Sequence, residues 1–336
     1  MSELVRVAVD AMGGDNAPGE IVKGAVAALA ASPEVAVTLV GQQERIREVL
    51  AGCGPYDEAR LNIEDARELI EMAEPPVNAI RTKKDSSIVR GLKLVKDDVC
   101  DAYVSAGSTG ANLAGGQIIV GRIKAVRRTP LAPMIPTEKG GSLLIDCGAN
   151  VDARPDHLVM FARMGAIYME HVMGVKNPTV GLVNIGTEEE KGNALTKETY
   201  PLLQAEKDLN FVGNVEARDI PAGGVDVLVC EAFTGNVILK MYEGVAKSLL
   251  RIVKNGMMSS VRSKAGALLV KPALKEALKE YDLSKYGGAP LLGLEGLVVK
   301  THGSATATEV QNSILQCVPF VRERVTERIR DALTKE

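Results

Sequence analysis

Short β-branched runs separated by helix-length segments recur along this chain, and that alternation limits its fold more than any other feature. The runs Val5 to Val9, Val35 to Val40, Ala102 to Ser105, Ser142 to Ile145, Thr179 to Ile185, Asn210 to Val215, Val225 to Cys230 and Leu297 to Thr301 read as strands. Strands alternating with helices predict an α/β fold with a mainly parallel sheet, because each parallel pair needs a crossover long enough to hold a helix. Several runs end in Gly, Asn, Asp, Ser or Thr. Ligands of open parallel sheets bind beyond the carboxyl ends of the strands, so these loops are expected to converge on one site. No linker, repeat or shift in composition interrupts the pattern, and residues 1–336 read as one continuous α/β domain. The exception is Met257 to Tyr281, where Met257, Met258, Val261, Leu268, Leu269, Val270, Leu274 and Leu278 are interspersed with Arg262, Lys264, Lys271, Lys275 and Lys279. That stretch predicts a basic amphipathic helix pair broken near Gly266 and Pro272.

Composition mainly excludes. With 40 basic and 43 acidic residues the formal net charge is −3, which argues against a general nucleic-acid binder. Trp is absent and aromatics are scarce, so base-stacking platforms are not expected. The five cysteines, at 53, 100, 147, 230 and 317, form no C-x-x-C pair and no tight spacing with the three histidines, so neither a disulfide framework nor a metal site is predicted. No basic and apolar leader precedes the first strand and no run approaches the length of a membrane span. A cytoplasmic location is expected, with surface attachment to a membrane left open.

The loop Asp10-Ala11-Met12-Gly13-Gly14-Asp15-Asn16-Ala17-Pro18 joins a strand-like run to a helix-like one, Ile21 to Ala31. A dinucleotide fold would carry G-x-G-x-x-G here and a P-loop G-x-x-x-x-G-K-[ST], and neither occurs in the chain. The paired glycines let backbone approach a ligand. The flanking aspartates disfavour a bare phosphate cradle unless other segments bring donors and positive charge.

Six more strand-end loops follow. They are Ser105-Ala106-Gly107-Ser108-Thr109-Gly110-Ala111, Asp146-Cys147-Gly148-Ala149-Asn150, Asn184-Ile185-Gly186 running to Lys191-Gly192-Asn193, Gly213-Asn214-Val215-Glu216, Phe233-Thr234-Gly235-Asn236-Val237, and Tyr286-Gly287-Gly288-Ala289-Pro290-Leu291-Leu292-Gly293 with His302-Gly303-Ser304. In this order, the seven loops resemble the bacterial PlsX family of phosphate acyltransferases from Asp10 to Ser304. Three departures are Ser108 where the family usually has Asn, Glu231-Ala232 where it has Asp-Gly, and Ala217 where it has Gly.

The resemblance implies a three-layer α/β/α sandwich, similar to phosphotransacetylases and isopropylmalate dehydrogenases, with a protruding helical hairpin at about 257–281. It implies transfer of an acyl group from acyl-carrier-protein thioesters to inorganic phosphate, in fatty acid and phospholipid synthesis, with no cofactor. Expected partners are acyl carrier protein, a second copy in a homodimer, an anionic membrane surface bound reversibly, and the membrane glycerol-3-phosphate acyltransferase that consumes the product. Lys191 and Asn236 match the polar positions expected to be catalytic. Asp10, Gly13, Gly14, Asp15, Ser105, Ser108, Thr109, Gly110, Asn150, Asn184, Gly186, Thr234, Gly235, His302, Gly303 and Ser304 would bind substrate and phosphate. Acyl transfer between coenzyme A and phosphate is the nearest alternative, and a membrane-surface scaffold without catalysis is a second.

Each candidate has a structural role to weigh against the chemical one. Ala106-x-Ser108-x-Gly110 falls one residue short of the G-x-S-x-G nucleophile elbow, but a serine hydrolase also needs an aligned histidine and acid. Ser108 and Thr109 serve equally as anion ligands or as helix caps. Lys191 follows Glu188-Glu189-Glu190 at the expected opening of a helix through Tyr200, either in a solvated charge run or as the cation that holds phosphate. Asn236 either donates to a substrate oxygen or caps a helix. His302, in a glycine-flanked loop, serves equally for proton transfer or phosphate contact or as a structural histidine, whereas His157 and His171 fall in helical segments. Cys147 and Cys230 end apolar runs and read as small buried hydrophobes rather than as acyl carriers. Two basic groups, Arg81, Lys83, Lys84, Arg90 and Lys93, then Arg122, Lys124, Arg127 and Arg128, are surface charges that would also steer an acidic carrier protein to the site.

Overall fold

The computed structural model describes residues 4–281 and 283–334. Its strands are β1 (Val5–Asp10), β2 (Val35–Gly41), β3 (Leu61–Asp65), β4 (Ala102–Ser105), β5 (Met134–Thr137), β6 (Gly140–Ile145), β7 (Thr179–Asn184), β8 (Asn210–Glu216), β9 (Val227–Val229), β10 (Ala289–Leu291) and β11 (Leu297–Lys300). They divide between two sheets, ordered β10-β11-β4-β1-β2-β3 and β5-β6-β9-β7-β8, rather than forming the single sheet that the sequence predicts. Within each sheet the strands are parallel except at one edge, where β10 runs against β11 and β5 against β6. All eight expected strands are present, with ends shifted by a residue or two. The three that were not expected, β3, β5 and β10, are all edge strands. Pro136 and Pro290 interrupt the apolar signal of β5 and β10, and an edge is where a strand tolerates the missing N–H.

Alternation along the strands sends side chains to opposite faces. Val7, Val9, Val37, Leu39 and Val104 of the first sheet pack on Ile21, Val22, Ala25 and Leu29 of the helix Gly19–Ala31. From the opposite face Ala8, Val40, Tyr103 and Val298 meet Ile80, Ile88, Val89 and Leu92. In the second sheet Leu143, Ile145, Leu182 and Val229 join the same core as Val7, through Phe161 and Met164 of the helix Pro155–His171. Its other face, with Leu144, Val183 and Leu228, is covered by Ile220 and by Ile238 and Leu239 of the helix Ala232–Met257. Helices therefore flank both faces, giving the α/β/α layering.

The hairpin differs from expectation at its bend. Ala232–Met257 and Val261–Ala277 are two helices joined at 258–260, and Gly266 and Pro272 both lie inside the second. Ser260 sets that start, accepting the Ser263 N–H on its hydroxyl at 3.0 Å. Almost every residue from Lys247 to Ala277 is exposed or half-exposed. Among the described residues no helix is long and apolar enough to cross a membrane.

Candidate active site

The carboxyl ends of β1, β4 and β11 carry three loops locked into one unit. Ser105 donates from Oγ to Asp10 Oδ2 at 2.7 Å and accepts from the Gly107 N–H at 3.0 Å and Asn112 Nδ2 at 3.2 Å. Asp10 is fully buried, and burial raises its carboxyl pKa against the pull of hydrogen bonds from Ser87, Ser105 and Met12. A methyl group at Gly13 would overlap the Asp10 carboxylate, and one at Gly14 (φ +95°) would sit 2.7 Å from the Gly303 carbonyl oxygen. Glycine is required there because backbone meets backbone, and the Asp15 N–H donates to that same Gly303 oxygen at 2.7 Å. Asn16 Nδ2 reaches Ser304 O at 3.1 Å. Asp10, Gly13, Ser105 and Ser108 thus lie beneath the surface, whereas Asp15, His302 and Ser304 are exposed and Gly14, Thr109, Gly110 and Gly303 half-exposed. His302 Nδ1 lies 2.8 Å from Ser304 Oγ. Ser108 takes the capping role, its Oγ accepting the Ala111 N–H at 3.4 Å at the start of Thr109–Gly115.

Sequence reasoning missed Lys300, the last residue of β11. It is buried, and its Nζ donates to the carbonyl oxygens of Ala106, at 3.3 Å, and Thr301. Burial pulls its pKa down to about 8, with Asp10 and Asp15 raising it and Lys240 lowering it further. The signal was a lysine closing an otherwise apolar run, Leu297 to Lys300, where a solvated charge is not expected.

The second sheet supplies the other wall. Asp146, just past β6, is buried, which raises its pKa, and accepts from the N–H groups of Leu131 (3.0 Å), Asn150 (2.8 Å) and Ala149 (3.3 Å). Asn150 is buried too, and its amide nitrogen is spent on Asp146 Oδ2 at 2.7 Å and the Thr129 carbonyl at 2.9 Å, which makes it a brace for this loop. Past β7, Asn184 Nδ2 donates to the Lys191 carbonyl at 3.1 Å, folding the segment back on itself, and the Lys191 stem lies over Gly186. Lys191 stands in the loop, ahead of the helix Ala194–Ala205 that Asn193 caps, and not within a helix as the charge pattern predicts. Its ammonium is exposed and has no ion pair among the described residues.

Asn236 belongs to the second turn of Ala232–Met257 and is not its cap. Glu231 is the cap, and its carboxylate accepts from the N–H groups of Phe233, at 2.5 Å, and Thr234, at 3.1 Å, and from the Thr234 hydroxyl. The helix start is therefore already occupied by an anion from the chain itself. Gly235 packs against the Asp146 carbonyl, and Asn236 faces the empty side of Gly148, whose Cβ would lie 3.7 Å from Asn236 Oδ1. One turn on, Lys240 lies close enough to lower the pKa of Lys300 and of Cys147. Ala149, past β6, packs on the core of the first sheet, which sets the two groups of loops side by side.

The cleft contains no activated thiol. Burial, with Asp146 adding, pushes Cys147 up to about 12, and burial raises Cys230 well above its ordinary value. Both are protonated at neutral pH and so poor nucleophiles. Cys147→Ser and Cys230→Ala are expected to retain turnover within severalfold, with a cost in melting temperature alone. Mass spectrometry of acid-quenched protein should detect no acyl thioester; an acyl group on either cysteine contradicts this.

Lys191 follows β7 and Asn236 follows β9, neighbouring parallel strands of the second sheet, so both stand exposed at its carboxyl edge, near the buried Asp146. The chain matches the family described as "Fatty acid synthesis protein" over residues 5–328. It is 48% identical over 332 residues to "Phosphate acyltransferase" of Clostridium perfringens, covering 99% of this chain and 98% of that one. With "Phosphate acyltransferase" of Desulfitobacterium hafniense it shares 50% identity over 335 residues, 99% of this chain and 98% of the other. The structure is similar to the EutD phosphotransacetylase from Staphylococcus aureus, with a TM-score of 0.60 at 16% identity over 95% of this chain and 94% of that one, a likeness of fold. The chain belongs to the PlsX family of phosphate acyltransferases and is an acyltransferase.

Proposed function

We propose that this enzyme transfers the acyl group of an acyl-carrier-protein thioester to inorganic phosphate, releasing acyl phosphate and free carrier for phospholipid synthesis. The observation that carries the reading is the pair Lys191, in the loop after β7, and Asn236, in the second turn of the helix after β9, both exposed and neither side chain spent on bracing the structure. Phosphate is itself a competent nucleophile, so the protein's task is to hold it against the thioester carbon, exclude water and stabilise the oxyanion. A phosphate oxygen bonds to the carbonyl carbon, the C–S bond breaks, and the departing thiolate takes up a proton that phosphate gives up. Lys191 supplies the charge that holds phosphate and stabilises the oxyanion, and Asn236 donates to the carbonyl oxygen. With the N–H groups of Phe233 and Thr234 held by Glu231, backbone donors come from the turn at Ser108–Gly110. His302 and Ser304 line the phosphate side. Loss of thioester measured with acyl-carrier protein and with acyl-coenzyme A, each with and without phosphate, tests the reading. Phosphate-dependent loss with the carrier donor is expected; preference for coenzyme A makes the enzyme a coenzyme A-dependent transferase, and no phosphate dependence leaves a scaffold.

The long helix supports the expected homodimer. Phe233, Val237, Met241, Val245 and Leu249 recur every four residues, all exposed, a stripe suited to a second copy. The second helix of the hairpin suits an anionic bilayer: midway along it Leu268 (75% exposed), Leu269 (84%) and Val270 (48%) stand among Arg262, Lys264 and Lys271. A cytoplasmic enzyme held there reversibly would pass acyl phosphate to the membrane glycerol-3-phosphate acyltransferase. Replacing Leu268, Leu269 and Val270 together by Asp is expected to abolish flotation with anionic vesicles while dimer mass is unchanged. Persistent flotation, or a fall to monomers, assigns these residues to packing instead.

A further inference from the structure

A cavity of about 410 Å³ lies outside the cleft, lined by Arg122, Arg127, Arg128, Asp152, Arg154 and His157. Four guanidinium groups face a single lining carboxylate. Arg127 and Arg154 share Asp156, the latter at 3.3 Å, Arg122 donates to the Arg127 carbonyl at 2.5 Å, and Arg128 has no carboxylate partner among the described residues. The helix Pro155–His171 begins at this cavity, so its positive end adds to the field. His157 forms a buried wall, its Nδ1 accepting the Arg154 N–H at 3.2 Å. Burial depresses its pKa, so it stands neutral beside the arginines.

In the other basic group Arg81, Lys84 and Lys93 form no ion pair among the described residues, but three carboxylates meet the remaining two charges. There Lys83 is paired with Glu74 at 2.6 Å, and Arg90 with Glu64 and Asp85. Around the cavity positive charge is left over, on a chain whose formal net charge is −3. Guanidinium forks suit phosphate and carboxylate groups. The side chains of Arg127 and Arg154 are 63% and 62% exposed, reaching outward to meet a surface rather than closing over a small ion. The cavity also adjoins the cleft. Asn150 binds the carbonyl of Thr129, next to Arg128, and Asp152 is four residues from Gly148, which faces Asn236. Four residues span at most about 14 Å.

We propose that the cavity of Arg122, Arg127, Arg128 and Arg154 is the docking site for the acidic, phosphate-bearing face of the carrier protein that delivers the thioester. This rests on the reading of the site as a carrier-dependent acyltransferase. The test uses Arg128→Glu and the milder double variant Arg122→Gln/Arg128→Gln, each checked for an unchanged melting temperature. Binding of fluorescently labelled acyl carrier protein is read by anisotropy at low and high salt, beside KM for the carrier thioester, a pantetheine thioester and phosphate. Carrier Kd should rise about tenfold with a weaker salt dependence, and the ratio of carrier KM to pantetheine KM should rise with it. Unchanged carrier Kd in both variants overturns the proposal, as does a wild type that does not bind the carrier. A rise confined to the KM for phosphate assigns the cavity to phosphate and overturns it as well. Arginine-dependent carrier binding by a wild type that makes no acyl phosphate supports the docking site and sinks the functional reading alone.

Discussion

Alanine at Lys191 or at Asn236 is expected to lower acyl phosphate formation more than a hundredfold without changing the melting temperature. Both side chains are exposed, and neither is built into the hydrogen bonds that hold the loops, so truncation removes little native stability. In the proposed mechanism it removes a donor aimed at charge that develops only as phosphate attacks the thioester, a contribution of about 3 kcal/mol per donor. The two losses should combine to less than their sum, because both groups serve one oxyanion. Steady-state rates with the carrier thioester, read beside thermal melts, check this. Near-normal turnover in both variants removes them from the mechanism.

Gly235→Ala should be nearly as damaging for a different reason. A methyl group there would fall on the Asp146 carbonyl oxygen and within 3.0 Å of Cys230 Sγ. Asp146 is unable to yield, since its carboxylate is bonded to Leu131, Ala149 and Asn150. The helix must move instead, and it carries Asn236 as the next residue. A displacement of about 1 Å is enough to cost on the order of a hundredfold in rate, and the overpacking itself about 1–3 kcal/mol. Gly244→Ala on the same helix is the control: nothing lies within 4 Å of its added methyl, so stability should hold or rise. Equal melts and equal rates for the two variants would show that the Gly235 contact does not position the site.

Much of this arrangement was legible before any coordinates, and the rest was hidden for identifiable reasons. Runs such as Val35 to Val40 announce themselves because a buried parallel strand is apolar on both faces. β5 and β10 do not, because edge strands admit proline. The division into two sheets follows from pairings between distant segments, such as β11 with β4, that no local pattern encodes. The bend of the hairpin lies elsewhere than expected because the helix continues through Gly266 and Pro272 despite their poor propensity, whereas Ser260 caps its start.

At the site the loops were legible and the division of labour within them was not. Asp10, Ser105 and Asn150 stand at strand ends as expected, yet they are buried bracing beneath the exposed groups. Distinguishing brace from ligand needs burial, which three-dimensional packing sets. Lys300 and Lys240 are hidden for the same reason: each acts on what lies across the cleft, whereas the cap made by Glu231 is local to Phe233 and Thr234. Arg154 and His157 join Arg122 and Arg128 only because the loop from Asp146 to Arg154 folds back on Thr129.

In the proposed reaction this cleft joins phosphate directly to the acyl group of a carrier-bound thioester. Mass spectrometry of the products formed from acyl-carrier-protein thioester and oxygen-labelled inorganic phosphate tests it most directly. Acyl phosphate carrying the labelled phosphate oxygens is expected, with free carrier in equal amount, and more than a hundredfold less of both when Lys191 is replaced by alanine. Free fatty acid in place of acyl phosphate, or a carrier thioester left intact by the wild-type protein, would contradict it.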